Sequence, residues 1–290
     1  MRIRRIAGVL VVLALLAPTA VAQRTRLKPG MNLFTPQQDI EVGREVEKQA
    51  ESQLQMLRDK GVDDYLDRLG HRLATKAPGE KYPYQFKAVN DMNINAFALP
   101  GGFLFVNRGT IEAADNEAQL SGVIGHEIGH VALRHGTNQM TKASFAQLLA
   151  SGIGAMSGSG SAASLLTRLG VGFGANSLLL KYSRDAERQA DIVGTQILYD
   201  NNFDPRAMAQ FFEMLEKESK TRPIQFFSDH PNPENRVSAV NAEIARMGGP
   251  LANYRTDSPE FHEIQKHVRS LPPPAKPAGG SPGSKPPSGR

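Results

Sequence analysis

His126-Glu127-Ile128-Gly129-His130 follows the pattern H-E-x-x-H within a segment of helical periodicity. Residues four apart lie on one face of an α-helix, so both imidazoles can reach one metal ion. Glu127 lies about 100° around the helix from His126, where it can act as a general base toward a water molecule at that ion. The pattern therefore predicts a zinc hydrolase site in which His126 and His130 are two of the ligands.

The bare pattern has a simpler interpretation, a surface helix that carries two histidines by chance. Against this, apolar residues flank the pattern and predict a buried helix: Val123, Ile124, Ile128 and Val131. A buried His–Glu–His cluster needs partners for its polar groups, and a metal ion supplies one. The flanking residues thus favour the metal site.

A catalytic zinc ion needs a third protein ligand and one open position. His135 lies five residues after His130, whereas the metzincin pattern requires six and a glycine where Leu133 stands. We therefore interpret His135 as a capping or surface residue near the helix end. Glu187 on a second predicted helix is the better candidate, and Asp191 can accept a hydrogen bond from the non-ligating nitrogen of a zinc-bound histidine. The alternative for these two acids is a solvated, charged helix face.

A third polar group lies in residues 230–236, His-Pro-Asn-Pro-Glu-Asn-Arg. His230 and Arg236 could donate hydrogen bonds to an oxyanion that develops during acyl transfer. A turn followed by a helix N-terminus explains the same residues equally well at this point.

The composition narrows the kind of protein. The chain has 290 residues, 40% of them hydrophobic, and no cysteine. This length suits one large domain or two small ones. A zinc site must use His, Glu or Asp, because no thiolate is present. The net charge of +5 arises from both ends of the chain, and residues 23–270 carry a net charge of −1, which excludes a nucleic-acid-binding footprint.

Residues 1–22 have the features of a signal peptide. Three arginines precede an apolar run at residues 6–17, and Ala20-Val21-Ala22 matches an A-x-A cleavage signal. The run is shorter than the ~20 residues of a spanning helix. We expect export, most simply to a bacterial periplasm; the alternative is an uncleaved N-terminal membrane anchor.

Periodicity predicts an α+β fold that is mostly helical and contains a small sheet. Thr35, Pro36 and Gln38 form the start of a first helix. Further helices are predicted at 63–76, 116–135, 184–200, 204–220 (capped by Asp204) and 233–247, and strands at 84–89, 94–99 and 103–107.

We expect a linker at 23–34, one domain at 35–265, and a disordered Pro/Gly-rich tail at 271–290. The Gly/Ser/Ala-rich residues 152–177 predict a flexible loop, or a lid that contacts a membrane through its apolar residues.

Three motifs in this order resemble the gluzincin family that contains the CAAX prenyl proteases, the HtpX membrane proteases and the BepA-type periplasmic peptidases. They are residues 126–135, residues 187–191, and His230-Pro231 with Arg236. The resemblance covers residues 35–250 and implies a zincin-type metallopeptidase domain with one zinc ion per chain. It implies that His126, His130 and Glu187 are the ligands, that Glu127 is the general base, and that His230 and Arg236 stabilise the transition state. In BepA-like relatives the matching histidine can also occupy the open zinc position, so both roles of His230 stay open.

Asn95-Ala96-Phe97-Ala98-Leu99-Pro100-Gly101-Gly102 resembles the family's edge strand, which faces the active-site cleft and along which a substrate peptide lies. An exposed edge would bind an extended peptide by strand addition, and Asn95, Ala96, Phe97 and Ala98 are the residues expected to bind it. The chain resembles the soluble branch of the family and carries no tetratricopeptide-like repeats.

The sequence thus predicts a zinc-dependent endopeptidase that acts on unfolded or damaged exported proteins. Its expected partners are polypeptide substrates and, peripherally, a membrane. One alternative is a zinc-containing chaperone or adaptor that binds unfolded chains without cleaving them. Another is a structural zinc site with His230 as its fourth ligand. Glu127 favours the enzyme, because a binding module needs no general base.

Overall fold

The computed structural model describes residues 23–151, 181–231, 235–249 and 253–275. These residues form a mostly helical fold with one three-stranded sheet, which confirms the α+β prediction. The helices are α1 Pro36–Gln53, α2 Lys60–Ala74, α3 Arg108–Ala113, α4 Glu117–Ala132, α5 His135–Ser151, α6 Arg184–Asp200, α7 Arg206–Ser219, α8 Gln225–Asp229, α9 Arg236–Arg246 and α10 Pro259–Ser270. The strands are β1 Gln85–Val89, β2 Ala96–Leu99 and β3 Phe103–Asn107.

Several predicted segments fall outside this description. They are the signal peptide at 1–22, the loop or lid at 152–177, residues 232–234 and the tail beyond residue 275. In the described ranges, no helix has both the length and the apolarity to cross a membrane.

Side-chain caps set where several helices begin. Thr35 Oγ1 accepts from the Gln38 backbone N–H at 3.2 Å and Gln38 Oε1 accepts from the Thr35 N–H at 2.8 Å, which confirms the predicted capping box. Helix α2 begins at Lys60, three residues earlier than predicted, because Asp59 caps it. Helix α7 begins at Arg206, so the cap predicted at Asp204 is wrong in position, although its carboxylate still accepts from the Arg206 N–H at 3.0 Å.

The sheet has the order β1-β3-β2, with β1 parallel and β2 antiparallel to β3. Strand β2 is therefore at an edge, as predicted. Its exposure was predicted wrongly, because Ala96 and Ala98 face the larger hydrophobic core while Phe97 and Leu99 face a smaller core beneath α1. All four residues are buried.

Helices α4 and α6 cross at very short range because small residues face each other. A Cβ on Gly194 would lie 2.9 Å from the His126 backbone nitrogen, and a Cβ on Gly129 would lie 2.9 Å from the Ala190 carbonyl oxygen. Every residue of α4 is buried, so the helix runs through the core. The close crossing lets short acidic side chains of α6 reach the histidines of α4.

The turn between α4 and α5 corrects the predicted motif helix. The helix ends at Ala132 instead of continuing to residue 135, because Arg134 adopts a left-handed conformation with φ of 57°. The Arg134 guanidinium binds Asp39 at 2.6 and 3.0 Å and the Phe34 carbonyl at 2.5 Å, which fixes the turn to the start of α1. His135 then begins α5.

Residues 24–34, which we call the N-terminal strap, bind two parts of the fold. The Thr25 N–H and hydroxyl donate to the buried Glu243 carboxylate of α9 at 2.8 and 2.5 Å. Asn32 Nδ2 donates to Thr137 Oγ1 of α5 at 2.8 Å. The segment predicted as a linker is thus hydrogen-bonded to the domain near both of its ends.

Candidate metal centre

Four buried side chains converge between α4, α6 and the end of α8. They are His126 and His130 of α4, Glu187 of α6, and His230 directly after α8, and one ligand atom of each lies within 4.8 Å of all the others. His126 Nε2 lies 3.0 Å from His130 Nε2, 3.3 Å from Glu187 Oε2 and 3.3 Å from His230 Nδ1. Glu187 Oε1 lies 3.4 Å from His130 Nε2 and 3.3 Å from His230 Nδ1.

These separations fit a zinc ion. Ligands at about 2.0–2.1 Å from a tetrahedral zinc ion are separated by about 3.3–3.4 Å from one another. Five separations, measured to the Glu187 oxygen in contact with each partner, run from 3.0 to 3.4 Å, and all four ligand atoms lie within 4.8 Å of one another. Imidazole nitrogens and a carboxylate are also ligands that zinc accepts, so both the geometry and the donor chemistry match.

Asp191 and Arg236 orient this cluster. His126 Nδ1 donates to Asp191 Oδ1 at 2.9 Å, which leaves the His126 Nε2 lone pair directed into the cluster. Arg236 donates from Nε to Asp191 Oδ2 at 2.7 Å and from Nη2 to Glu187 Oε2 at 3.0 Å. Asp191 therefore lies where the sequence predicted a tautomer-fixing carboxylate. The Arg236 guanidinium faces these two acids, and within the described part of the chain its Nη1 has no hydrogen-bond partner.

His230 connects the cluster to the edge strand. Its ring stacks on Phe226 at 4.5 Å between centroids. Nδ1 faces the cluster, while Nε2 lies 3.2 Å from the Ala96 carbonyl oxygen and 3.4 Å from Glu127 Oε1. One imidazole thus belongs to the side-chain cluster and also contacts strand β2 and the predicted general base.

Glu127 is buried beside the cluster without a hydrogen bond. Its Oε1 is within ion-pair range of His230, but the contact lacks hydrogen-bond alignment, and neither carboxylate oxygen has a hydrogen-bond partner among the described residues. Burial raises the pKa of Glu127 above its ordinary value. A carboxylate in this environment is suited to accept a proton.

The electrostatics of the cluster also suit a cation. Burial opposes a charge on His126, but its hydrogen bonds to the carboxylates of Asp191 and Glu187 outweigh burial and raise the pKa of His126 to about 9. Burial likewise opposes a charge on Glu187, yet the neighbouring His230 and His130 hold the pKa of Glu187 well below its ordinary value. Burial lowers the pKa of His130. Glu187 therefore stays ionised and favours a positive charge between the histidines.

Two residues beside His130 were not predicted there: the sequence analysis placed His135 wrongly and did not identify Tyr182. His135 is only 8% exposed and its Nδ1 lies 3.0 Å from His130 Nδ1, so its interpretation as a capping or surface residue was wrong. The turn at Arg134 directs the His135 side chain back toward α4. Tyr182 stacks on the His130 ring with 3.9 Å between centroids. Neither contact follows from helical periodicity, because His135 is placed by the turn at Arg134 and Tyr182 lies before the start of α6.

The predicted substrate residues divide into two pairs. Ala96 and Ala98 lie next to the cluster; Ala98, His130 and Tyr182 line a narrow cleft. Asn95 is anchored elsewhere, since its Nδ2 donates to Asp229 Oδ2 at 2.7 Å, and the Phe97 ring stacks on Phe105 on the opposite face.

The chain belongs to Peptidase family M48, a family of metallopeptidases, whose profile matches residues 61–244. It is 34% identical over 204 residues to the putative beta-barrel assembly-enhancing protease of Vibrio cholerae, and 30% identical over 216 residues to the beta-barrel assembly-enhancing protease of Escherichia coli. These matches cover 68% and 72% of this chain, but only 42% and 44% of the relatives' own length. The chain is also 32% identical over 184 residues to metalloprotease YcaL of Escherichia coli, a match that covers 61% of this chain and 71% of the relative.

Proposed function

We propose that this chain is a zinc-dependent endopeptidase that cleaves unfolded or damaged exported proteins. The observation that supports it best is the position of Glu127, whose carboxylate has no hydrogen-bond partner among the described residues and lies beside four potential ligand atoms that are all within 4.8 Å of one another. A buried carboxylate without partners is costly to the fold. A reaction that needs a proton acceptor at this position explains why the protein retains a destabilising buried carboxylate.

In this proposal His126, His130 and Glu187 hold the zinc ion. When bound, zinc polarises the scissile carbonyl and lowers the pKa of a water molecule. Glu127 accepts the proton from the attacking water and transfers it to the leaving amine. Asp191 holds His126 in the tautomer that presents Nε2, and Arg236 holds both Asp191 and Glu187 through two donors.

The substrate peptide pairs with strand β2 as an extended strand in this proposal. The carbonyl of Ala96 is one of the groups that it would use, and His230 Nε2 contacts that oxygen at 3.2 Å. The same ring fills the fourth corner of the ligand cluster. We therefore interpret the structure as a closed state, from which His230 must move before a peptide can lie along β2. The alternative role for this imidazole is to donate a hydrogen bond to the oxyanion.

The cellular setting is also part of the proposal. The signal-like residues 1–22 and the names of the two beta-barrel assembly-enhancing relatives support an exported enzyme of the bacterial envelope. There it would act in protein quality control.

Zinc content and casein cleavage of the wild type and of Glu127→Gln test this function. We expect both proteins to bind one zinc ion and only the wild type to cleave casein. A wild type that binds zinc, holds unfolded casein and never cleaves it would support the chaperone or adaptor instead. A wild type without zinc would contradict both.

A further inference from the structure

We propose that His135 is a positioning residue that fixes the tautomer of His130. Three residues form a chain of hydrogen bonds that ends at His130: Asp185 contacts Gln189, and Gln189 contacts His135. We call these three residues the His135 relay. The proposal rests on the proposed function in one respect, namely that His130 is a metal ligand. His126 has Asp191 for this purpose, whereas no described carboxylate contacts His130 Nδ1.

The direction of the relay is set at its outer end. Gln189 Nε2 lies 2.8 Å from Asp185 Oδ2. An ionised carboxylate only accepts hydrogen bonds, so the amide must present its NH₂ group there. The Gln189 carbonyl oxygen consequently faces inward, where it lies 3.4 Å from His135 Nε2.

The next contact assigns the protons of His135. A carbonyl oxygen only accepts, so His135 Nε2 must carry a hydrogen. The ring is buried and no described carboxylate contacts it, which favours the neutral form with a single N–H. His135 Nδ1 is therefore an acceptor.

The inner contact then fixes His130. The two Nδ1 atoms are 3.0 Å apart, and only the one on His130 can donate. The remaining nitrogen, His130 Nε2, is left with a lone pair at its position 3.0 Å from His126 Nε2 and 3.4 Å from Glu187 Oε1. Each step follows from the preceding one, so the relay presents His130 to a metal as a neutral ligand.

A purely structural role for His135 makes different predictions. Its ring packs edge-on against His130 at 5.0 Å between centroids. If packing were its whole role, the side chain would need the shape of a ring but not the acceptor atom Nδ1. Two substitutions separate the roles. His135→Phe keeps a ring and removes the acceptor, while His135→Asn removes the ring and keeps an acceptor at the Nδ1 position.

The test measures zinc affinity of the full chain by competition with a chromophoric chelator, with circular dichroism to verify folding. We expect His135→Phe to bind zinc about 10–100-fold more weakly than the wild type. His135→Asn should stay within a few-fold of the wild type, because its side-chain oxygen replaces the acceptor. Gln189→Leu should also weaken binding, since it removes the group that directs His135. Long-range ¹H–¹⁵N spectra of the wild type should show the Nε2–H tautomer for His135 and Nδ1–H for His130.

Equal zinc affinities for His135→Phe and the wild type would overturn the relay and leave the proposed function intact. A folded His135→Asn as weak as His135→Phe would do the same, because it assigns the effect to packing. If His135→Phe fails to fold, Gln189→Leu decides, and unchanged affinity in that variant overturns the relay. A wild type that binds no zinc overturns the proposed function and the relay together.

Discussion

Arg236 and Glu187 form a completely buried ion pair, with 3.0 Å between Nη2 and Oε2, across 49 residues of sequence. The guanidinium also lies over the Phe212 ring at 3.9 Å, and its Nε donates to Asp191. A single cation thus compensates two acids in a site from which water is excluded. The pairing joins the first residue of α9 to α6, the helix that carries Glu187.

Arg236→Met should strongly destabilise the protein, because it leaves two buried carboxylates without their donor. Removal of one partner from a buried ion pair costs about 3–5 kcal/mol. The free energy of unfolding, measured with urea in the presence of a chelator, reports this loss. Arg236→Lys, the matched control, keeps the charge but cannot reach both acids in the same way, so its loss should be smaller. Wild-type stability in Arg236→Met would show that the pair is not formed.

Gly194→Ala should destabilise the crossing of α4 and α6. Its Cβ would lie 2.9 Å from the His126 backbone nitrogen, where no flexible side chain can move away. Overpacking of this kind costs about 1–3 kcal/mol. Gly125→Ala is the control, because its Cβ meets the Gly194 carbonyl oxygen at 3.4 Å, an ordinary contact. Thermal unfolding of the two variants should therefore differ, and equal melting temperatures would argue against a tight crossing.

The metal-free protein should lose stability as the pH rises from 6.5 to 9. His126 has a folded-state pKa of about 9, above the ordinary 6.5, so its contribution is complete below pH 6.5 and is lost as the pH approaches 9. The shift corresponds to a contribution on the order of 3 kcal/mol. Urea unfolding in chelator at several pH values measures it, and Asp191→Asn should flatten the dependence. A metal-free wild type whose stability does not change over this range would contradict the expectation.

His230→Ala should raise the rate of casein cleavage while zinc is retained. The substitution vacates the fourth corner of the cluster and releases the Ala96 carbonyl oxygen for a substrate strand. Zinc content measured on the same samples is the necessary control. Lost cleavage with zinc retained would instead assign His230 to oxyanion stabilisation.

Thr25→Val should weaken the attachment of the N-terminal strap. The Thr25 hydroxyl donates to Glu243, a carboxylate that is fully buried, and loss of such a donor costs about 1–3 kcal/mol. Lys28→Ala, at an exposed position of the same segment, is the control and should leave stability unchanged. Limited proteolysis before residue 34 would reveal release of the strap, and equal cleavage of both variants would count against the attachment.

The sequence predicted best what local rules determine. The helix at 184–200 was correct at both ends, and Ser183 caps its first turn. The spacing of His126 and His130, together with the acidic residue Glu187 on that second helix, predicted three members of the cluster. The features that depend on long-range contacts were not predicted correctly. His135 is buried because Arg134 binds Asp39, 95 residues earlier, and no local pattern encodes that contact. Burial of β2 likewise depends on cores contributed from both sides of the sheet.

The distribution of the cluster along the chain affects biosynthesis. His126 and His230 are 104 residues apart, and Arg236 follows later still. Chains emerge from the ribosome with the N-terminal part first, so α4 is made long before its partners exist. Metal affinity depends on the folded arrangement of ligands. A partly synthesised or still unfolded chain therefore has no assembled ligand cluster, and the proposed protease would be inert until its own folding is almost complete.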